Sequence, residues 1–443
     1  MGSSDGTVGK GEEETLTATP VALSGPPSGS PSGPLSGVRI VDLTRILAGP
    51  SATQFLGDLG ADIIKIEHPR LGDDTRKWGP PYVRDAAGAE TTESSYFLSA
   101  NRNKRSLAVD IATDEGADIV RRLAMHADVL MENFKVGGLV KYRLDHGELS
   151  RIAPHLIYCS ITGFGQTGPY ASRAGYDFLI QAMGGFMSIT GAPEGEPMKG
   201  GVAIADLMAG MYAASAVLAA LCARDRNAPG DLQARTGQHV DISLLDTQVA
   251  WLSNVAMHTL VTGENAPRLG NAHASIVPYR VFASADGHVI VAAGNDRQFA
   301  AWCAVAGAND LAADPRYRTN ADRVRNRAQL EPSMEAIMAT RTASDWIDAL
   351  ETAGVPCGPV NTVDQVFADP HVLARGMRTT AHHNLAAGGE VPQIGNPVKF
   401  SATPPSIRRG PPTLGEHTDE VLATELGMDA AAIDDLRARG VIA

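Results

Sequence analysis

Two glutamates, Glu194 and Glu196, stand in the stretch ITGAPEGEPMKGG, residues 189–201, where Gly and Pro interrupt any helix or buried strand. A carboxylate in such a turn either is solvated or is a nucleophile for an electrophilic carbonyl, and residue type alone leaves both readings open. Asp206, in VAIADLMAG, stands at the start of an apolar run, where it caps a helix or orients a site group. The turn SITGFGQTG carries Gly163, Gly165 and Gly168, which let backbone approach a ligand closely. The cysteines Cys159, Cys222, Cys303 and Cys357 form no C-x-x-C pair, so neither a zinc site nor a disulfide framework is suggested. Buried free thiols in a reducing, cytoplasmic setting are the plain reading.

The elements that must hold these groups are readable from pattern. VRIVDL reads as a buried strand, PSATQFLGDLG as a helix with Pro in its first turn, and ADIIKIE as a second strand. The turn between them, TRILAGPSATQ, lacks the G-x-G-x-x-G fingerprint, so dinucleotide binding is not indicated. RSLAVDI, DVLMENF and LIYCSITGFG are further strands, alternating with helices at DEGADIVRRLAMHA and HGELSRIAP. That alternation predicts an α/β fold with a mostly parallel sheet covered on both faces. Two Ala-rich helices follow, IADLMAGMYAASAVLAALCARDR and VDISLLDTQVAWLSNVAMHTLV. YRVFASADGHVIVAAG predicts a hairpin around Ala-Asp-Gly, opening a smaller α+β unit over 265–365, and the remainder reads as loop-rich.

Composition bounds the partners. With 443 residues, 44% of them hydrophobic and 20% charged, the chain has room for two domains. A formal net charge of −12 argues against nucleic acid. The Gly/Ser/Pro-rich residues 1–37 predict a disordered tail without the marks of a transit or secretory signal. Leu207 to Ala223 carries no charge, but it is short and mostly Ala, which favours a closely packed buried helix over a membrane span.

The blocks LTRILAGPSATQFLGDLGADIIKIEHPRLGDDTR, NRNKRSLAVDI, ENFKVGG, SITGFGQTGPYASRAGYDF, TGAPEGEP, VAIADLMAG, TGQHVDISLLDT, RLGNAHASIVPYRVF, GVPCGPVNTVDQV and DPHVLARGM occur in that order over nearly all of the ordered chain. Together they resemble the class III CoA-transferase family, which also includes α-methylacyl-CoA racemases. The resemblance implies a Rossmann-like large domain (38–230), a linker helix (231–264), a small α+β domain (265–365) and a C-terminal segment (366–443) returning to the large domain. It also implies an interlocked homodimer, acyl-CoA and carboxylic acid substrates, and a CoA thioester as co-substrate with no permanently bound cofactor, metal or membrane partner.

The family's transferases use an aspartate in a T-G-x-x-D-G stretch, and the matching position is Glu194 in Thr190–Gly195. The resemblance thus gives Glu194 the role of nucleophile, forming an anhydride and then an enzyme thioester, with Glu196 on the surface. The family's racemases use a histidine and an aspartate, matched here by Tyr176, in Gly175-Tyr176-Asp177, and Asp206. Tyrosine is a poor neutral-pH base, so proton exchange through Asp206 is the alternative reading, alongside an inactive acyl-CoA-binding homologue.

By the same resemblance, pantetheine and diphosphate run along Arg45, Ile46 and Ala48. The adenine lies against the backbone of Val109, Asp110 and Ala112, and Asn133, Phe134 and Lys141 close the pocket. His68, Arg70 or Arg76 supplies positive charge, and the turn at Gly163, Phe164 and Gly165 flanks the thioester. Lys104 and Arg105 equally read as charges that blunt a strand end. Leu47 and the stretch RLGNAHAS depart from the formate/oxalate enzymes of the family, and the expectation within the resemblance is a dicarboxylate system with succinyl-CoA as donor.

Overall fold

The computed structural model describes residues 33–227 and 235–443, so most of the predicted tail, residues 1–32, lies outside the described residues. Its central feature is the sheet that the alternating pattern predicts. Strands β1 (Arg39–Asp42), β2 (Asp62–Glu67), β3 (Lys104–Ala108), β4 (Val129–Glu132), β5 (Ile157–Thr162) and β6 (His239–Ser243) pair in the order β3-β2-β1-β4-β5-β6. Every pairing is parallel. The order reverses between β1 and β4, and in open α/β sheets a crevice forms at the carboxyl ends of strands that diverge in this way.

Strand β6 corrects the sequence reading, which carried a helix from Val240 onward. His239 to Ser243 instead aligns with Tyr158 to Thr162, and the helix α6 begins at Leu244 and ends at Trp251. The β-branched Val240 and Ile242 fit a strand, and the open edge of β5 supplies the hydrogen bonds that decide between the two forms.

Helices cover both faces. On one side α1 (Ala48–Asp58) and α5 (Ile204–Asn227) pack with Leu56, Ile63, Met131, Ile157 and Val217. On the other, α2 (Asp114–Met125), α3 (His146–Ile152) and the C-terminal helices α10 (Thr418–Leu426) and α11 (Ala430–Ala438) share a core that includes Val120, Leu123, Leu149, Val421 and Leu436. Helix α5 is long and apolar enough to cross a membrane, with a mean hydropathy of 1.7. Its small residues Ala205, Ala209, Ala213 and Ala214 are instead wholly buried in the protein. A Cβ on Gly210 would meet Ala48 O at 2.5 Å, so glycine is what lets α5 approach the start of α1.

A second core gathers around Trp302 and Trp346. It belongs to the predicted hairpin, β7 (Tyr279–Ala283) and β8 (His288–Ala292), extended by a third antiparallel strand, β9 (Cys357–Pro359), and covered by α7 (Asp296–Ala306), α8 (Arg327–Met338) and α9 (Ala343–Thr352). The C-terminal stretch is less irregular than its composition suggests, because β10 (Arg378–His382) and β11 (Glu390–Ile394) form another hairpin. The chain then returns to the large sheet: His417 N–H donates to Ser106 O at 3.0 Å and Asp110 N–H to Val441 O at 2.8 Å. Of the cysteines, Cys159 and Cys303 are buried as expected, Cys357 is half-buried, and Cys222 is exposed.

Candidate active site

The crevice at the reversal point is a cavity of about 420 Å³. Its wall carries Arg45, Ile46, Leu47 and Ala48 from the turn after β1, and Asn133 and Phe134 from the turn after β4. Lys141, Gly163, Arg173, Tyr176 and Asp206 complete it. Asn133 ties the two turns together: its Oδ1 accepts from Arg45 N–H at 2.9 Å and its Nδ2 donates to Arg45 O at 2.7 Å. A second cavity of about 290 Å³ shares Arg45 and Phe134 with the first and adds His68, Val109, Asp110 and Ala112. The two hollows together gather most of the residues predicted to hold CoA.

The turn after β1 is held in an unusual shape. Ile46 has φ +74°, a left-handed conformation that is a genuine outlier for a β-branched residue. Buried charge beneath the turn restrains it. Asp73 accepts from Ile46 N–H, and the Lys65 ammonium bridges Asp73 Oδ2 and Thr44 O, each at 2.9 Å. Burial alone would raise the Asp73 carboxyl, but Lys65 and the Thr75 hydrogen bonds hold it down at about 2. Asp42 accepts from Thr44, Thr53 and Lys104. Lys104 is therefore no strand-end charge: it is wholly buried, and burial pushes its ammonium down to about 8 against the pull of Asp42.

Arg76 corrects another expectation. It is buried, its guanidinium bridges Glu67 at 2.8 Å and Glu93 at 2.7 Å, and it stacks 3.7 Å from the centre of the Phe97 ring. With its charge satisfied inside the protein, it lines neither cavity. Arg105 is likewise buried and paired with Asp62 and Glu425. Of the three turn residues expected beside the thioester, Gly163 lines the larger cavity, whereas Phe164 is buried and Gly165 stands against Asp241 and Ser243.

The structure does not bring Glu194 to this cavity. The residue is exposed, and its side chain makes no hydrogen bond or ion pair among the described residues. Its turn is pinned through backbone instead: the Arg268 guanidinium donates to Gly195 O at 2.7 Å, and Gly270 N–H to Gly191 O at 3.1 Å. Glu196 is also exposed.

Two other carboxylates lie closer: Asp206 lines the cavity, and Asp177 follows the wall residue Tyr176 in the chain. Asp177 opens helix α4 (Asp177–Met183), directly after the wall residue Tyr176. Its Oδ1 accepts from Ala205 N–H at 2.8 Å, in the first turn of α5, and its Oδ2 accepts from Gln181 Nε2 at 2.7 Å. One carboxylate thus faces the positive ends of two helices. Asp206 is not the helix cap read from sequence: Asp177 takes that role and Asp206 is left without a hydrogen bond among the described residues. Burial, with the Asp177 charge beside it, pushes Asp206 up to about 7. Asp177 stayed hidden in the sequence because Asp and Gln four apart on a helix are an ordinary surface pair. The contact with Ala205, 28 positions away, gives it meaning.

The site is thus a crevice of two joined hollows at the end of a six-stranded parallel sheet, without a glycine fingerprint. Residues 35–418 match the model for CoA-transferase family III. The chain belongs to that family. It is 48% identical over 390 residues to the succinate–glutarate CoA-transferase of Agrobacterium fabrum, covering 88% of this chain and 95% of that one. To the human succinyl-CoA:glutarate CoA-transferase it is 44% identical over 409 residues, 92% of this chain and 90% of the relative. The crystal structure of a CaiB/BaiF family protein from Brucella suis superposes with a TM-score of 0.78 at 46% identity, covering 89% of this chain and all of that one.

Proposed function

We propose that this enzyme transfers CoA from succinyl-CoA to a short dicarboxylic acid, glutarate foremost, and that Asp177 is the nucleophile. The observation that carries the reading is the Asp177 carboxylate, held by the first turn of α5 and close to Asp206, which lines the cavity. A nucleophile must be held as an anion, and two helix N-termini favour that at Asp177. Asp206, near 7, is suited to hold or release a proton beside it.

In the first half-reaction the Asp177 carboxylate attacks the succinyl-CoA carbonyl and expels CoA thiolate, giving a mixed anhydride. The thiolate then attacks the Asp177 carbonyl of the anhydride, releasing succinate and leaving an enzyme thioester. The acceptor carboxylate repeats these steps in reverse and leaves as the new acyl-CoA. Anhydride and thioester both hydrolyse, so the recessed cavity serves the chemistry by limiting water. The pantetheine arm is assigned to the larger cavity and the adenine to the smaller one, with Arg45 and Phe134 at their junction. Leu260, Val261 and Val363 are 77%, 76% and 75% exposed, and this apolar surface supports an interlocked homodimer.

The test is to incubate the protein with succinyl-CoA, trap with hydroxylamine, and locate the adduct by fragment ions. Asp177 and Glu194 fall on one tryptic peptide between Arg173 and Lys199, so peptide mass alone does not separate them. The reading requires the adduct on Asp177, no transfer by Asp177→Ala and near-normal transfer by Glu194→Ala. An adduct on Glu194 returns the role to that residue.

A second reading rests on Asp206 and Tyr176 sharing one wall: proton exchange next to a thioester carbonyl. Deuterium wash-in from heavy water into a 2-methylacyl-CoA measures it directly, and no exchange removes it.

A further inference from the structure

The cations around the larger cavity are not equivalent. Arg45 is paired with Asp74 at 3.2 Å and lies over Phe134, at the end shared with the second hollow. Lys141 stands over Tyr142 at 4.5 Å, and Lys135 is exposed beside Phe134. Arg173 lines the larger cavity but not the second hollow, together with Tyr176 and Asp206, and stands four residues before Asp177. Among the described residues no carboxylate lies within ion-pair distance of it.

Arg173 is nevertheless held in place. Its guanidinium lies 4.5 Å from the Tyr170 ring centre and 5.1 Å from that of Phe164, and the two rings meet edge to face at 5.6 Å. Phe164 is itself buried, so this aromatic bed is anchored in the protein. The loop is closed by Arg173 N–H donating to Tyr170 O at 2.9 Å. The two cation–π contacts hold the guanidinium without using its N–H donors, which stay available for hydrogen bonds. Among the described residues its only side-chain acceptor is the weak one of Met183 Sδ, at 3.9 Å. A planar, pre-oriented and unneutralised fork beside the reacting end matches one ligand group, a second carboxylate bound bidentately.

We propose that Arg173 is the specificity-determining residue that reads the distal carboxylate of the acid being carried, in both the donor and the acceptor. This rests on the dicarboxylate transfer proposed above and adds the residue that would select for it. Lysine would keep the charge but not the fork, and a monocarboxylic acid would leave Arg173 desolvated without a partner.

The experiment compares glutarate with valerate, which has the same number of carbons and lacks the second carboxylate, using succinyl-CoA as donor. Wild type, Arg173→Met and Arg173→Lys are measured for kcat and KM, and for CoA binding by calorimetry. Arg173→Met is expected to raise the KM for glutarate about 10- to 100-fold, the scale of a lost charge-assisted pair. The glutarate-to-valerate preference collapses by a similar factor while CoA affinity stays within about twofold, since CoA phosphates are held elsewhere. Arg173→Lys falls between. An unchanged preference in Arg173→Met with active enzyme overturns the assignment of Arg173 alone. A wild type that transfers CoA to neither acid overturns the dicarboxylate reading itself, and the inference falls with it.

Discussion

The carboxylate of Asp73 lies 3.2 Å and 3.3 Å, through its two oxygens, from the backbone nitrogen of Ile46. This contact holds a β-branched residue at φ +74° in the turn that lines the larger cavity. A backbone in that region costs about 1–3 kcal/mol and persists only when its surroundings fix it.

Asp73→Asn should loosen that turn, because it removes the charge facing Lys65 and leaves a buried ammonium without its nearest anion. The expected result is a rise in KM for the acyl-CoA of about 10-fold or more with a lower melting temperature. Ile46→Gly supplies a control. Glycine adopts the same φ without strain, so it should recover part of the lost CoA affinity in the Asp73→Asn background. Steady-state kinetics and thermal melts check both.

Asp206 predicts a pH dependence of stability. Its carboxyl is pushed from the ordinary 3.8 to about 7, so between those values the native state keeps a proton that the unfolded chain has lost. The native state then binds more protons, and stability falls as pH rises through that window, with the loss complete above about 7. Asp206→Asn should therefore raise the melting temperature more at about pH 8 than at about pH 5. Equal effects at the two values would contradict a buried, raised carboxyl.

Arg76 sits between Glu67 and Glu93 with all three side chains buried. Removing the cation in Arg76→Ala leaves two carboxylates without a counter-charge, and it should cost about 3–5 kcal/mol by denaturant titration. Because Arg76 lines neither cavity, the folded fraction should bind CoA with near-normal affinity. A selective loss of CoA affinity without loss of stability would restore the ligand role that sequence suggested.

The exposed Leu260 and Val363 predict a self-association surface. Light scattering should give a mass about twice the 46.5 kDa of one chain. Leu260→Asp combined with Val363→Asp should lower that mass or cause aggregation, since an interlocked pair has no stable folded monomer to fall back on. A wild-type mass of one chain would dismiss the dimer.

Much of this architecture was legible without coordinates. The βαβ alternation from Val38 to Thr162 reports itself through runs of Val, Ile and Leu bounded by Gly and Pro, because burial on both faces of a parallel sheet demands apolar side chains at successive positions. The hairpin at Ala285-Asp286-Gly287 was equally plain, since turn residues announce the reversal. Arg45, Asn133 and Val109 were singled out through the family resemblance, and the sheet brings all three to the two hollows because strand ends gather at the reversal point.

Which carboxylate lies near the cavity was not legible in the same way. Glu194 attracted attention through a local motif, yet whether a carboxylate faces a cavity depends on backbone direction within its turn, and Arg268 turns that backbone toward itself. Lys104 read as a surface charge because its partner Asp42 lies 62 positions away. Strand β6 read as helix because the edge of β5 that completes it is remote in the chain. The sequence by itself determined most of the elements, their alternation and the family. Only the tertiary structure decided which charges are buried and paired, and which carboxylate and which arginines line the cavity. Those properties arise from contacts between distant segments, and electrostatic energy depends on separation and burial in space rather than on spacing along the chain.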